Sequence, residues 1–422
     1  MQLTGKKSIR AALAAATCTV LSQPLQASQN SDEWDVKSGL LYYSEADRVT
    51  VIAPTVSAGT TTDSGDIFTL RAIYDSLTGA SPNGASPTNT AQAFTSPSGE
   101  SNYTTQAGDT PLRDLTDTRV VLGIDWESEL SRLMRHTLTA NVSSERDYLS
   151  LGVSDTLQHD FHNRQTTVSA GIGLTLDTIS PEGGTPDGLQ LLSASGEAGG
   201  DEQKSSVDLL LGITRVLNRH TLTQVNFSHT YSTGYLTDPY KILSMIDPAT
   251  GETVQDINGD FLYRHEKRPD TRTSNSLYWK LQHQLTQDVV YLSYRYFQDD
   301  WGIRSHTMDL KYRYELLGGN YLQPHYRYYR QTAADFYHHS LVDDGALPDY
   351  ASADLRLGEM TGTTVGLKFG IPLSDGEFNI RFEKMVQTGE SHPADAIGVQ
   401  RNFDLYPTLD ATIVQIGYRT VF

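Results

Sequence analysis

From Trp34 onward, apolar and polar side chains alternate with a period of two, run after run, with turn residues between the runs. Alternation of that kind predicts strands with one greasy face. In 304–316, Met308, Leu310, Tyr312, Tyr314 and Leu316 share a face, and Thr307, Asp309, Lys311, Arg313 and Glu315 share the other. In 375–389, Phe378, Ile380 and Phe382 stand against Glu377, Asn379, Arg381 and Glu383. In 273–287, Leu277, Trp279, Leu281 and Leu285 stand against Tyr278, Lys280, Gln282 and Gln284. The closing run Asp410 to Phe422 puts Val414, Ile416, Tyr418, Thr420 and Phe422 on one face, and Gln415, Gly417, Arg419 and Val421 on the other.

The pattern predicts strands at 34–45, 48–59, 66–76, 117–129, 134–146, 148–161, 164–177, 204–217, 219–233, 273–287, 288–299, 304–316, 319–332, 354–371, 375–389 and 410–422. Their number is even, as bacterial membrane barrels require. The long connections 77–116, 178–203, 234–272, 333–353 and 390–409 all follow odd-numbered strands. The others are tight, as at Gly318-Gly319-Asn320 and Ser374-Asp375-Gly376. A soluble sandwich has no reason to sort loops by parity. The expectation is an all-β transmembrane antiparallel barrel of about 16 strands over 34–422, with long extracellular loops and short periplasmic turns. A charge facing lipid near midplane costs ~2–4 kcal/mol, so the charged faces must look inward. A terminal aromatic on an alternating strand resembles the outer-membrane assembly signal, with Tyr418 and Phe422 as its anchors. The barrel-assembly machinery and outer-membrane lipid are then expected partners.

Lys6, Lys7 and Arg10 precede the apolar run Ala11 to Leu21, then Pro24-Leu25-Gln26-Ala27. This predicts a secretory signal peptide over 1–27, cleaved after Ala27 and followed by a short segment 28–33. The one cysteine, Cys18, lies inside it. The exported chain then has no disulfide, thiolate metal site or cysteine nucleophile. The formal net charge is −18, and loss of the three leader cations makes it more acidic, which argues against a nucleic-acid partner.

Several stretches resemble a family of Gram-negative outer-membrane proteins known as domain of unknown function 3570. They are Leu41-Tyr42-Tyr43-Ser44-Glu45, Arg48 to Pro54, Asp75 to Ala85, Asp147 to Val153 and Thr237 to Lys241. The resemblance implies a barrel, encoded beside a small lipoprotein, a thioredoxin-like protein and a flavin transferase. No activity comes with it.

The inward row offers Lys280, Arg295, Lys311, Arg313, Arg327 and Arg381 against Asp309, Glu315 and Glu383. Charged walls of this kind orient solutes in a pore, or pair up and pack a narrow lumen. Tyr291, Tyr321 and Tyr329 are expected to point inward as ligand candidates, while lipid-facing tyrosines form interfacial girdles. Asp256, Asn258 and Asp260 surround a glycine as calcium ligands would, though Asp, Asn and Gly dominate solvated turns as well. His283 and His306, with Ser276 and Ser305 nearby, have no spacing that specifies a catalytic triad, and His338-His339 sits on a loop. No Walker, Rossmann or zinc motif appears. The expectation is a porin-like channel or solute-binding transporter in the outer membrane, with no enzyme activity and no cofactor. The alternative is a sleeve around a periplasmic or lipid-anchored partner.

Overall fold

The computed structural model describes residues 33–95, 102–192 and 199–422. The expected signal peptide and most of segment 28–33 lie outside them. The described chain forms, in order, β1 (Trp34–Glu45), β2 (Val49–Thr61), β3 (Ile67–Pro82), β4 (Gln92–Thr95), β5 (Asn102–Thr105), β6 (Leu112–Ser131) and β7 (Met134–Glu145). There follow β8 (Tyr148–Phe161), β9 (Thr166–Ile179), β10 (Glu202–Asn218), β11 (Thr221–Gly234), β12 (Ile242–Ile246), β13 (Tyr263–His265) and β14 (Thr271–Gln284). The chain ends with β15 (Val289–Asp299), β16 (Arg304–Glu315), β17 (Tyr321–Gln331), β18 (Leu341–Val342), β19 (Met360–Leu373), β20 (Gly376–Gly389) and β21 (Leu409–Val421).

Sixteen of these strands, all but β4, β5, β12, β13 and β18, close into an antiparallel barrel in chain order. The seam pairs β1 with β21, from Asp35 opposite Val421 to Glu45 opposite Ala411. One residue further out, Trp34 N–H donates to the Phe422 carbonyl at 2.7 Å and Phe422 N–H returns the bond at 3.1 Å.

Side-chain parity sorts the two faces. Leu176, Leu211, Val365 and Phe382 lie outside and are 62%, 59%, 57% and 55% exposed. Such an apolar belt around a whole molecule is a liability in water and a match for hydrocarbon. Among the described residues no helix is long and apolar enough to cross a membrane; the spanning is done by strands. At one rim the connections are short: 62–66, 132–133, 162–165, 219–220, 285–288, 316–320 and 374–375. Gly318 and Gly319, at φ +76° and +78°, supply the left-handed backbone that one such turn needs.

The long connections at the opposite rim are not open loops. β3 and β6 run on to pair Pro82 with Leu112, well past the expected ends at 76 and 117. β19 starts at Met360 rather than 354, because Asp354 accepts from Arg356 N–H and starts a 3-10 turn over Leu355–Leu357. β4 and β5 form a hairpin, and β12 is sandwiched between β13 and β18. Around them lie apolar cores, one of Leu236, Phe297, Trp301, Ile303, Phe336 and Leu357, another of Leu243, Met245, Leu341, Ala351 and Ala353. The segments are knitted to each other. Ser86 N–H donates to Ser244 Oγ at 2.9 Å, Ser86 Oγ to the His339 carbonyl at 2.9 Å, and Val399 N–H to the Thr250 carbonyl at 2.8 Å. Together they make a folded cap over one mouth of the barrel. Beneath it the inner wall is apolar, with Leu41, Tyr43, Val49, Val51, Ala53, Leu77 and Ile413 buried in one cluster. The sequence pattern places the charged faces toward the lumen, and this apolar stretch of wall departs from it. The cap explains the difference, since its underside has to be packed against.

Candidate functional site

The lumen wall carries its chemistry on β14 to β20. Lys311 and Asp309 pair at 3.5 Å, and Arg313 Nε reaches Glu315 at 2.5 Å. The Arg313 guanidinium lies 3.7 Å above the Tyr321 ring. Tyr321 is shut away from solvent and donates its hydroxyl to Glu377 Oε1 at 2.7 Å. Lys368 meets the same oxygen at 3.4 Å. Tyr329 donates to Gln331 Oε1. Half-buried Tyr291 lies across from Gln282 on one side and Lys311 on the other.

One residue at the centre of this network was not singled out by sequence reasoning. His325 contacts Glu383 Oε1 through Nδ1 at 2.7 Å and Asp309 Oδ2 through Nε2 at 2.7 Å. Arg381 approaches Glu383 at 3.8 Å. The imidazole, on β17, thus bridges a carboxylate on neighbouring β16 and one on β20, across β19. Its place on the inner face follows from the alternation Tyr321, Gln323, His325, Arg327, but the bridge depends on barrel register. Lys280, Arg295 and Arg327 stand on the same wall with no carboxylate within ion-pair distance among the described residues. Arg295 lies 5.7 Å from the Tyr278 ring.

The neighbouring wall is bare. Gly152, Ser154, Gly171, Gly173 and Thr175 line a groove of about 270 Å³ there, with Asp208 at its edge. Small residues on one wall and long charged ones on the other leave an off-centre lumen.

Above the lumen, the cap holds a buried ion network. Arg268 Nη2 donates to Glu266 Oε2 at 3.0 Å and to Asp354 Oδ2 at 2.9 Å. Arg356 Nε donates to Asp354 Oδ1 at 2.6 Å, and its Nη2 to Asp238 at 3.2 Å. Glu266 also accepts from Ser352 Oγ and from Asp238 N–H, each at 2.5 Å. Burial pushes the Asp354 carboxyl up, but Arg356, Lys241 and Arg268 outweigh it and hold it below the ordinary carboxylate range. Burial dominates at Glu266 and raises it in spite of Arg268. Several links tie this network to the barrel. Gln331 Nε2 of β17 donates to the Arg356 carbonyl at 2.8 Å. Lys241 Nζ donates to the Pro82 carbonyl, and Tyr240 donates its hydroxyl to Asp147 Oδ2 at 2.6 Å. Leu77, Pro82, Asn83, Asp238, Tyr240 and Lys241 surround a cavity of about 40 Å³ at this junction, room for a water or two. Three of the five stretches that carry the family resemblance, 75–85, 147–153 and 237–241, therefore meet at one joint, where cap meets wall.

A larger cavity of about 420 Å³ opens within the cap between Tyr337, His338, His339, Glu390, Gln400 and Tyr406. Burial lowers both His338 and His339 against the pull of Asp395. The Asp256 carboxylate is spent on its own turn, accepting from Asn258 N–H at 2.8 Å and Asp260 N–H at 2.9 Å. A different acidic group, Asp117, Glu145 and Asp147, brings its oxygens within 4.8 Å of one another. Sequence reasoning missed it, because these residues meet across β6, β7 and the turn after β7. The candidate hydrolytic residues do not converge. Ser305 is buried on the inner face and His306 exposed on the outer one, where Tyr294 Oη lies 2.6 Å from its Nδ1. His283 is taken up by Thr221 at 2.8 Å.

Fold and site together define a transmembrane β-barrel with a charged lumen and a folded cap. The chain belongs to the family described as Protein of unknown function (DUF3570), whose model matches residues 10–420. No curated protein matches the sequence. Among solved structures, a bacterial polysaccharide outer membrane secretin is 7% identical, with 93% of this chain and 99% of that one covered at a TM-score of 0.45. A TodX monoaromatic hydrocarbon channel mutant is 10% identical, at 95% and 94% coverage and a TM-score of 0.43. OccK2 from Pseudomonas aeruginosa in complex with glucuronate is 9% identical, at 93% and 98% coverage and a TM-score of 0.39.

Proposed function

We propose that this chain is a capped outer-membrane channel, which passes a small solute when the cap over its mouth is displaced. The apolar belt and the sorting of connections by rim support the location, with the cap on the cell-surface side. The observation that carries the channel reading is the exposure of Arg295 and Arg327, two inward-facing cations on a closed wall. Exposed guanidinia inside a barrel require water around them, and a water-lined lumen is a route. The cap supplies the gate, since its buried ion network is a discrete lock rather than a loose cover. Conductance of the refolded full chain in planar bilayers tests this. Wild type should pass little current, and Arg268→Ala, which breaks the lock, should pass several-fold more. Silence in both, with a periplasmic or lipid-anchored protein captured by cross-linking in membranes, would replace the channel with the sleeve.

A further inference from the structure

We infer that the lumen selects anions, through a three-point cationic site formed by Lys280, Arg295 and Arg327. The inference rests on the channel reading above and adds the class of solute. Along β14 to β20 the inner wall carries more cations than carboxylates to match them. Arg272 meets Asp299, Lys311 meets Asp309, Arg313 meets Glu315, Lys368 meets Glu377 and Arg381 meets Glu383. Lys280, Arg295 and Arg327 have no carboxylate within ion-pair distance among the described residues.

Register puts the three together. Lys280 lies across from Ser293, Ser293 from Asp309 and Asp309 from Arg327. Arg295 follows Ser293 by two residues and shares its face. With strands ~4.8 Å apart, the backbones of Lys280 and Arg327 are about 14 Å apart, and Arg295 stands between them. Side chains of this length close on a ligand of several heavy atoms. Asp309, the carboxylate in the row, is already held by His325 at 2.7 Å and Lys311 at 3.5 Å. It also faces Arg327 directly, so this one negative charge is shared among several cations and leaves the row net positive.

Three like charges on one wall repel, and the repulsion is relieved when a solute brings the counter-charge. Two guanidinium forks and an ammonium suit multiply charged oxyanions, such as a di- or tricarboxylate or a phosphate ester. The adjoining wall reinforces the choice. Its groove of glycine, serine and threonine has no cation, and Asp208 at its edge repels anions toward the arginines. The neutral groove leaves the space and the charged wall sets the side on which an anion travels.

The test uses the full chain in the Arg268→Ala background alongside wild type, with folding checked by heat-modifiability. In a potassium chloride gradient the reversal potential should show anion preference. The triple variant K280Q/R295Q/R327Q should shift permeability toward cations several-fold. Cation preference in the parent, or an unmoved reversal potential in the triple variant, overturns the inference. Calorimetric titration of citrate into the detergent-solubilised protein at low salt gives a reading independent of current. Affinity should fall tenfold or more in the triple variant. If no current flows in either background but citrate binds and the triple variant loses it, the channel reading falls and the anion site stands. If citrate does not bind the parent, the site falls whatever the current does.

Discussion

Arg268 and Asp354 meet at 2.9 Å although 86 residues separate them, with side chains 0% and 3% exposed. Ions this deep are stable only as a set, because each carboxylate depends on the guanidinium for its lost hydration. Arg268→Ala strands Glu266, which has no other guanidinium in the network, while Asp354 keeps Arg356. We expect a loss of about 3–5 kcal/mol in cap stability, as for other half-broken buried pairs. The barrel draws its stability from strand pairing and lipid burial, so it should persist. Proteolysis should then cleave 235–270 and 332–359 far faster than in wild type, while the protein remains heat-modifiable. Equal cleavage rates would mean that the network is not the lock.

The orientation of the two rims is open to a direct check. The sequence has one cysteine, Cys18, so with Cys18→Ser as background single introduced cysteines report cleanly. Ile257 in the cap is 101% exposed and Leu317 in a short turn is 96% exposed. Ile257→Cys should react with an impermeant maleimide on intact cells, and Leu317→Cys only after lysis. The reverse pattern would invert the barrel in the membrane.

The barrel was legible in the sequence, and the cap was not, for one reason. A strand between lipid and lumen must alternate, so Met308, Leu310 and Tyr314 against Asp309, Lys311 and Arg313 can be read without a partner. In β12 every residue of Ile242–Ile246 is buried, so it has no alternation to read. Its partners β13 and β18 are three and two residues long, below the length at which a period can be counted. The site divides in the same way. The inner face was readable from parity, whereas the pairing along it required register. Lys311 and Arg313 look equivalent to Arg295 and Arg327 in sequence, yet only the first two have carboxylates within 4 Å. Buried pairs such as Arg268 with Asp354 leave no local trace at all.

Phe422 closes the seam with Trp34 through two backbone bonds at 2.7 and 3.1 Å. Phe422 is 70% exposed and falls by parity on the outer face, available to lipid or to an assembly factor. Deleting Phe422 removes both the ring and the bonds. Phe422→Ser keeps the bonds. If the ring is the assembly signal, both variants should insert poorly, by several-fold in the heat-modifiable fraction of outer membranes. Normal insertion of Phe422→Ser, with a defect only in the deletion, would assign the role to the seam and not to the aromatic.

Acid should loosen the cap. Burial holds His338 and His339 below the ordinary histidine value, against the pull of Asp395. For a base whose folded value is lowered, the stability it contributes is fully present above the unfolded value of about 6.5 and is lost as pH falls below it. Each unit between folded and unfolded values is worth about tenfold in the opening equilibrium of the cap. Asp354 acts with the same sign but further down, since its depressed folded value ties its loss to pH below about 4. Glu266, raised by burial, has the opposite slope, and its contribution fades as pH rises past the ordinary carboxylate range of about 4. Between pH 7.5 and 5 the histidines and Glu266 therefore pull in opposite directions, and a histidine variant separates the two. Proteolysis of the cap, normalised at each pH to an unfolded substrate, should accelerate across that interval. The double variant His338→Gln with His339→Gln should lose that acceleration. A flat wild-type profile, or one unchanged by the double variant, would remove the histidines from the gate.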